Sequence, residues 1–332
     1  MKIQRKVAVT QVLSGFFIIW LIIAVGYGVG RTGALGEHAQ PVLSRVAFFV
    51  ASPALLFNTL SNSDVFLVLG PQLWIATISA GIAAVTYLVI AHFLLAKRSG
   101  SERMIAALSA SLMNSANLGI PIAAYVLGDA SYAAPVILFQ LAIYTPIYVF
   151  VLDSQTLKES REHSSRPKTV RAGFWRSLGR IFVTVIRNPL IIGSAFGLLF
   201  SVTGWQLWQP LDESINLIAG AAIPAMLMAF GISLVGSRPL AKQHGRRRDT
   251  VLASAVKLVV HPLVAWALAT FVFQLDGHGV LVASVLASLP TAQNVFVAAS
   301  RYDTGLIVAR DTVFITTILA IPTMMIVASL LA

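Results

Sequence analysis

Apolar residues in this chain run in long blocks separated by short polar stretches. Blocks of spanning length, about 20 residues each, fall at 12–30, 39–60, 72–96, 104–127 and 132–152, and again at 181–203, 211–235, 250–273, 279–300 and 305–331. A polar stretch from Asp153 to about Arg180 separates the first five from the last five. The ninth block is the weakest, because Thr291, Gln293 and Asn294 interrupt it. The pattern predicts an all-α polytopic membrane protein with ten transmembrane helices.

Block four carries the stretch Asn114-Ser115-Ala116-Asn117-Leu118-Gly119-Ile120-Pro121. Pro121 lacks a backbone N–H, and in a helix its ring collides with the carbonyl of Asn117. Lipid cannot satisfy the freed backbone groups, so the break is expected to face protein or a wet cavity. A broken helix in mid-bilayer is how secondary transporters build a substrate site. The alternative is a kinked helix whose asparagines bond to a neighbour.

The two halves echo each other. Ser52-Pro53-Ala54-Leu55-Leu56 resembles Ile223-Pro224-Ala225-Met226-Leu227, and Ala110-Ser111-Leu112 with Asn117 matches Ala287-Ser288-Leu289 with Asn294. Pro146 has a counterpart in Pro322. Each pairing links span n to span n+5. Five spans is an odd number, so the second half enters the membrane from the opposite side, as two inverted five-helix repeats. Helices 4 and 9 are then expected to break and cross, with Asn117 and Asn294 near one pseudo-two-fold axis.

Composition fits this reading. The chain is 57% hydrophobic and 11% charged, with mean hydropathy +0.81, where a soluble protein carries about 25% charge. The net charge of +11 reads as topogenic, contacting anionic membrane lipid, rather than as a nucleic-acid surface. If loops alternate between two sides, one side collects Arg31, Lys97, Arg98, Arg103, the basic loop 154–180, Arg238, Lys242, Arg246, Arg247, Arg248 and Arg301. The other side carries Asp64, Asp129, Asp212, Glu213 and Asp276, and no Lys or Arg. The basic side is expected to be cytoplasmic and both termini extracytoplasmic, although Lys2, Arg5 and Lys6 oppose this locally. Zero cysteines excludes disulfides and thiolate metal sites. No cofactor, metal or zinc-protease motif is indicated, and the chain does not read as an enzyme.

The expected substrate site gathers Asn114, Asn117, Gly119 and Pro121 from span four with Pro290, Thr291, Gln293 and Asn294 from span nine. Pro53 and Asn58 of span two are added to it. Carboxamides supply donors and acceptors, and half-helix N-termini supply free N–H groups and partial positive charge. This environment suits a carboxylate. Lys257, His261, Arg310 and Asp311 are intramembrane ionisable residues, a functional hypothesis by default. Lys257 is expected to attract the anion or pair with Asp311, while Arg310 and Asp311 need not pair with each other. His261 reads as a packed histidine, with proton coupling as its functional alternative.

With broken fourth and ninth spans, the run Ala287-Ser288-Leu289-Pro290-Thr291-Ala292-Gln293-Asn294, Arg187-Asn188-Pro189-Leu190 opening span six, and the central basic loop, the sequence resembles the auxin efflux carrier family, bacterial branch. The resemblance implies a fold akin to bile-acid/sodium symporters. Residues 1–70 and 181–236 would then form a scaffold, 71–153 and 237–332 a mobile transport domain, and 154–180 a cytoplasmic basic loop. It also implies homodimers through the scaffold and an elevator-like movement. Plant members export indole-3-acetate; bacterial relatives are associated with malate and malonate. The acidic residue associated with the third span of plant members is missing from 72–96.

The reading is a secondary transporter exporting a small organic anion, carboxylate or auxin-like, without sodium, since 109–125 and 286–300 contain no carboxylate. Alternatives are a proton-coupled malate or malonate carrier, or a channel or receptor on the same fold.

Overall fold

The computed structural model describes residues 2–36, 38–62, 69–95, 98–162, 183, 187–235 and 245–331. Side chains are described from Ser14, apart from 15–16, 157–162 and 300. The basic tail 2–6, most of the basic loop 154–180 and the basic residues Lys97, Arg238 and Lys242 therefore lie outside the described side chains.

The chain is helical throughout its described residues, with one isolated antiparallel bridge and no strand. In order come α1 (Lys2–Thr32), α2 (Ala39–Ser61), α3 (Pro71–Leu94), α4a (Gly100–Ser111), α4b (Ile120–Tyr125) and α5, which runs from Ala130 to Glu162. Then follow α6 (Pro189–Thr203), α7 (Gln209–Ser233), α8 (Arg247–Val272), α9a (Gly277–Ala287), α9b (Asn294–Arg301) and α10 (Leu306–Leu331). Among them α2, α3, α5, α7, α8 and α10 are long and apolar enough to cross a membrane. Shorter apolar helices are Phe17–Thr32, Pro189–Thr203 and Gly277–Ala287. This is an integral, multi-pass membrane protein. Trp20, Trp74, Trp205 and Trp208 are exposed on its surface.

Local chemistry starts the helices. Ser99 accepts the N–H of Glu102 at 3.2 Å, a Ser-x-x-Glu start to α4a. Asn188 accepts from Leu190 at 3.0 Å with Pro189 in the first turn, and Asp276 accepts from Gly279 at 2.8 Å. Helix α5 runs ten residues beyond the apolar block that ended at 152. Its last turns are polar, and hydropathy does not register a helix that leaves the bilayer.

Four helical prolines share one accommodation. A π-turn lies immediately before Pro53 (Ala47–Ala51), Pro121 (Ser115–Gly119), Pro146 (Phe139–Tyr144) and Pro262 (Val256–Val260). In each, the residue before the proline donates its N–H five residues back, to the carbonyls of Ala47, Ser115, Gln140 and Val256 respectively. A proline ring clashes with the carbonyl four residues earlier, and a π-turn widens the helix there.

Helix pairing rests on close backbone approach. A Cβ on Gly26 of α1 would stand 2.5 Å from the Met228 carbonyl of α7, and one on Gly197 of α6 would stand 2.8 Å from the Phe57 carbonyl of α2. Gly231 likewise meets the backbone of Ile23, and Gly193 that of Pro53. Helix α7 also packs on α2. Helices α3, α4a, α8, α9a and α10 pack among themselves. Beside α2, α6 and α7, a core of Leu56, Ile120, Ile137, Leu190 and Met226 holds α4b and α5 against them.

At the basic end the packed helices are tied by charge. Arg98 binds Asp249 at 3.1 Å, and Arg246 binds Glu102. Hydrogen bonding to Asp249 pushes the Arg98 pKa further up. Tyr302 donates to the Asp153 carboxylate at 2.8 Å. Burial, then that bond and the charge of Asp153, raise the pKa of its hydroxyl.

Candidate functional site

The organising feature is where α4 and α9 stop being helices. Helix α4a ends at Ser111, and Leu112 is extended, with φ −78° and ψ 121°. The chain re-enters a helix through the π-turn Ser115–Gly119. The break thus lies at Leu112–Asn114, seven or more residues before Pro121, whose own clash the π-turn absorbs. In α9 the break runs from Ser288 to Gln293 and includes Pro290.

The two breaks pair. Met113 and Thr291 face each other in the antiparallel bridge. Asn114 N–H donates to the Pro290 carbonyl at 2.9 Å, and Ala292 N–H donates to the Leu112 carbonyl at 3.0 Å. Thr291 is fully buried and ties three elements together. Its hydroxyl donates to the Ser109 carbonyl at 2.6 Å, and its N–H donates to Thr316 Oγ1 of α10 at 3.0 Å. Gly119 keeps the approach close, because a Cβ there would stand 3.1 Å from Leu289. Some of the backbone bonds that both helices lose by breaking are thereby regained across the pair, as an apolar surrounding demands.

Beside the bridge lies a cavity of about 50 Å³, enough for a few waters. Asn114, Asn117, Gln293 and Asn294 line it, as do Phe48 of α2, Gln140 and Leu141 of α5 and Leu190 of α6. Asn114 is 2% exposed and Gln140 6%, and the side-chain NH₂ of each has no hydrogen-bond partner. Two buried, unspent donors therefore share one cavity. Leaving a buried donor unsatisfied costs about 1–3 kcal/mol, so the cavity suits a ligand that brings acceptors.

Part of each re-entering helix end is closed by the chain itself. Leu118 and Gly119 N–H groups return to the Asn114 carbonyl at 3.1 and 3.0 Å. Those of Val295 and Phe296 return to Ala292 and Gln293 at 3.1 and 3.0 Å. Ala116, Asn117, Gln293 and Asn294, the first residues of the two re-entering helices, stand in the cavity lining, and the side-chain carboxamides add their donors to those helix ends. Gly119, Pro121, Pro290 and Thr291 shape the breaks. Pro53 and Asn58 stand apart from the cavity. Pro53 packs its backbone on Gly193, and the Asn58 amide donates to Asn216. Helix α2 reaches the cavity through Phe48 instead, one turn from where Pro53 drew attention. Gln140 belongs to the π-turn before Pro146, so its proline was a usable sign of a distorted helix, but the facing of its side chain was not encoded there.

The intramembrane charges are placed differently from expectation. Lys257 is fully buried, and its Nζ lies 2.9 Å from the Ala287 carbonyl and 3.0 Å from His261 Nδ1. Among the described residues no carboxylate lies within ion-pair distance of it, so the pairing with Asp311 is not formed. Asp311 instead accepts from its neighbour Arg310 at 2.8 Å, an adjacent pair that helix geometry alone does not bring together. Arg310 is long enough to fold back along the helix surface. No cluster able to hold a metal occurs among the described residues.

A multi-pass helical protein whose two broken helices pair beside a buried, donor-lined cavity is, as a class, a membrane transport protein. The chain matches the family described as "Membrane transport protein" over residues 11–328 and belongs to it, the auxin efflux carrier family. It is similar to the "Putative malonate transporter" of Rhizobium meliloti (strain 1021), 27% identical across 91% of this chain and 90% of that protein. It is also similar to an uncharacterized transporter of Methanothermobacter thermautotrophicus, 26% identical across 91% of this chain and 93% of the other. A third relative, an uncharacterized transporter of Methanocaldococcus jannaschii, is 23% identical across 90% and 92%. The family points to transport rather than catalysis.

Proposed function

We propose that this protein is a secondary transporter of a small organic anion, with short dicarboxylates such as malonate as the first candidates. One observation carries the reading. The paired breaks of α4 and α9 border a cavity in which Asn114 and Gln140 hold buried NH₂ groups without partners. A carboxylate oxygen is the acceptor that such donors match best. The malonate named for the Rhizobium relative is such a ligand. The cavity is narrow, which favours a small acid over an indole acid.

In this reading the helices form two inverted repeats of five, and α4 and α9 cross at the substrate. The glycine contacts support it. The α1–α7 contact of Gly26 with Met228 and the α6–α2 contact of Gly197 with Phe57 are related by one constant offset in number, the offset that relates Pro53 to Pro224. Helices α1, α2, α6 and α7 serve as scaffold and dimer face. The remaining helices move past them, elevator-like, carrying the anion. Both termini lie outside the cell and the basic loops inside. With the interior negative, exporting one negative charge is favourable by about 2.3 kcal/mol per 100 mV, so efflux needs no sodium.

The test is counterflow of labelled malonate in proteoliposomes. Saturable exchange in choline buffer, lost on Asn114→Ala, is the expected result. A flux that never saturates with malonate, or that survives Asn114→Ala at full rate, contradicts it.

A further inference from the structure

Lys257 has no part in the cavity, yet it is fully buried in the middle of α8. Its surroundings explain where its amine is directed. In an unbroken helix the Ala287 carbonyl would accept from the N–H of Thr291, four residues on. Here the Thr291 N–H is spent on Thr316 Oγ1. Ser288 N–H serves the Ser284 and Val285 carbonyls, and Leu289 N–H serves Leu286. Pro290 has no N–H to give. Ala287 is thus a carbonyl that loses its helical partner at the break, at the C-terminal end of α9a, where the helix dipole concentrates partial negative charge. Lys257 Nζ sits on it at 2.9 Å.

We propose that Lys257 is a built-in monovalent cation for this break: its ammonium, tethered to α8, occupies a cation site made by the Ala287 carbonyl, the end of α9a and the His261 imidazole. His261 Nδ1, 3.0 Å from Nζ, supplies the second acceptor as a neutral ring. With Nδ1 accepting, the proton of the neutral ring sits on Nε2, which has no partner. The first half of the chain solves the same problem without charge. At the end of α4a, Thr291 Oγ1 takes the Ser109 carbonyl and Ala292 N–H takes that of Leu112. The two breaks are therefore chemically unequal, and the lysine is what the α9 side requires. The site holds a small ammonium or an ion of like charge once the tether is cut. The inference stands on the geometry of the break and is tested without any transported substrate.

The experiment uses the purified full-length protein with Lys257→Ala, which opens the site, and Lys257→Met, which fills it without charge. Thermal unfolding is followed with ethylammonium, with choline, and with propan-1-ol as an uncharged filler of similar size. For Lys257→Ala, ethylammonium at about ten times its dissociation constant is expected to raise the midpoint by about 2–4 °C over both controls. Wild type and Lys257→Met are expected to show no difference among the three. Equal effects of ethylammonium and propan-1-ol on Lys257→Ala overturn the proposal, because the site then wants volume and not charge. Should the alanine variant not fold, amide exchange in Lys257→Met decides. Exchange at Ser288–Ala292 at least about tenfold faster than wild type, with α1 unchanged, supports the proposal. Unchanged exchange there, or a midpoint equal to wild type, overturns it.

Discussion

Asn114 and Gln140 do different work from the asparagines that first mark the sequence. Asn117 and Asn294 are conspicuous because they recur at matched positions, and both line the cavity. The buried carboxamide donors without partners in that lining are Asn114, within the break itself, and Gln140, on another helix. A hydrogen bond to a charged group is worth about 1.5–3 kcal/mol. Asn114→Leu and Gln140→Leu should therefore each weaken anion affinity by about 10- to 150-fold. Neither should lower thermal stability, because each removes a buried donor that the empty protein leaves unsatisfied. Binding of malonate by isothermal titration checks the first part and an unfolding curve the second; a destabilised, tightly binding variant would reverse the assignment. The site was legible only where polarity interrupts an apolar run. Phe48 and Leu190 were hidden because an apolar residue in an apolar helix carries no sign of which way it faces. Pro53 and Asn58 attracted notice by residue type, and their contacts turned out to be helix–helix packing.

Among the elements, the prolines are the clearest case of sequence dictating shape. Pro53, Pro121, Pro146 and Pro262 each follow a π-turn, so proline marks distortion in these helices but not chain reversal. The true interruptions need a partner. Leu112–Asn114 leaves the helix because Pro290 and Ala292 offer replacement bonds, a tertiary effect that local sequence does not encode. The glycine contacts make a second elemental prediction. Gly26→Leu and Gly197→Leu place side chains against the Met228 and Phe57 backbones, and overpacking of this kind costs about 1–3 kcal/mol or more. Both variants should melt well below wild type, since each places its side chain against the backbone of the facing helix. Gly28→Leu, where a Cβ meets nothing within 4 Å, is the control and should melt as wild type does. Thermal unfolding of the three variants in one detergent decides the point.

At the scale of the whole molecule, the all-helical, multi-pass character was legible because bilayer thickness imposes a length that hydropathy reads directly. Helices that leave the apolar zone, such as the end of α5, escaped that reading. The absence of carboxylates from both breaks carries a prediction of its own: replacing sodium by choline on both sides of the membrane should leave malonate counterflow within about twofold, since sodium favours oxygen cages rich in carboxylate. A strict sodium requirement would refute it. The account as a whole depends on the two breaks meeting in the middle of the protein, and the chain's lack of cysteine gives a clean background for measuring this. Met113 and Thr291 form the pair flanked by the two cross-break hydrogen bonds, a geometry with Cα atoms about 4.5 Å apart, within the span of a disulfide. Met113→Cys combined with Thr291→Cys should form an intramolecular disulfide under mild oxidation, seen as complete loss of thiol labelling after denaturation, while either single variant stays fully labelled. Two thiols that both remain reactive after oxidation would contradict the account.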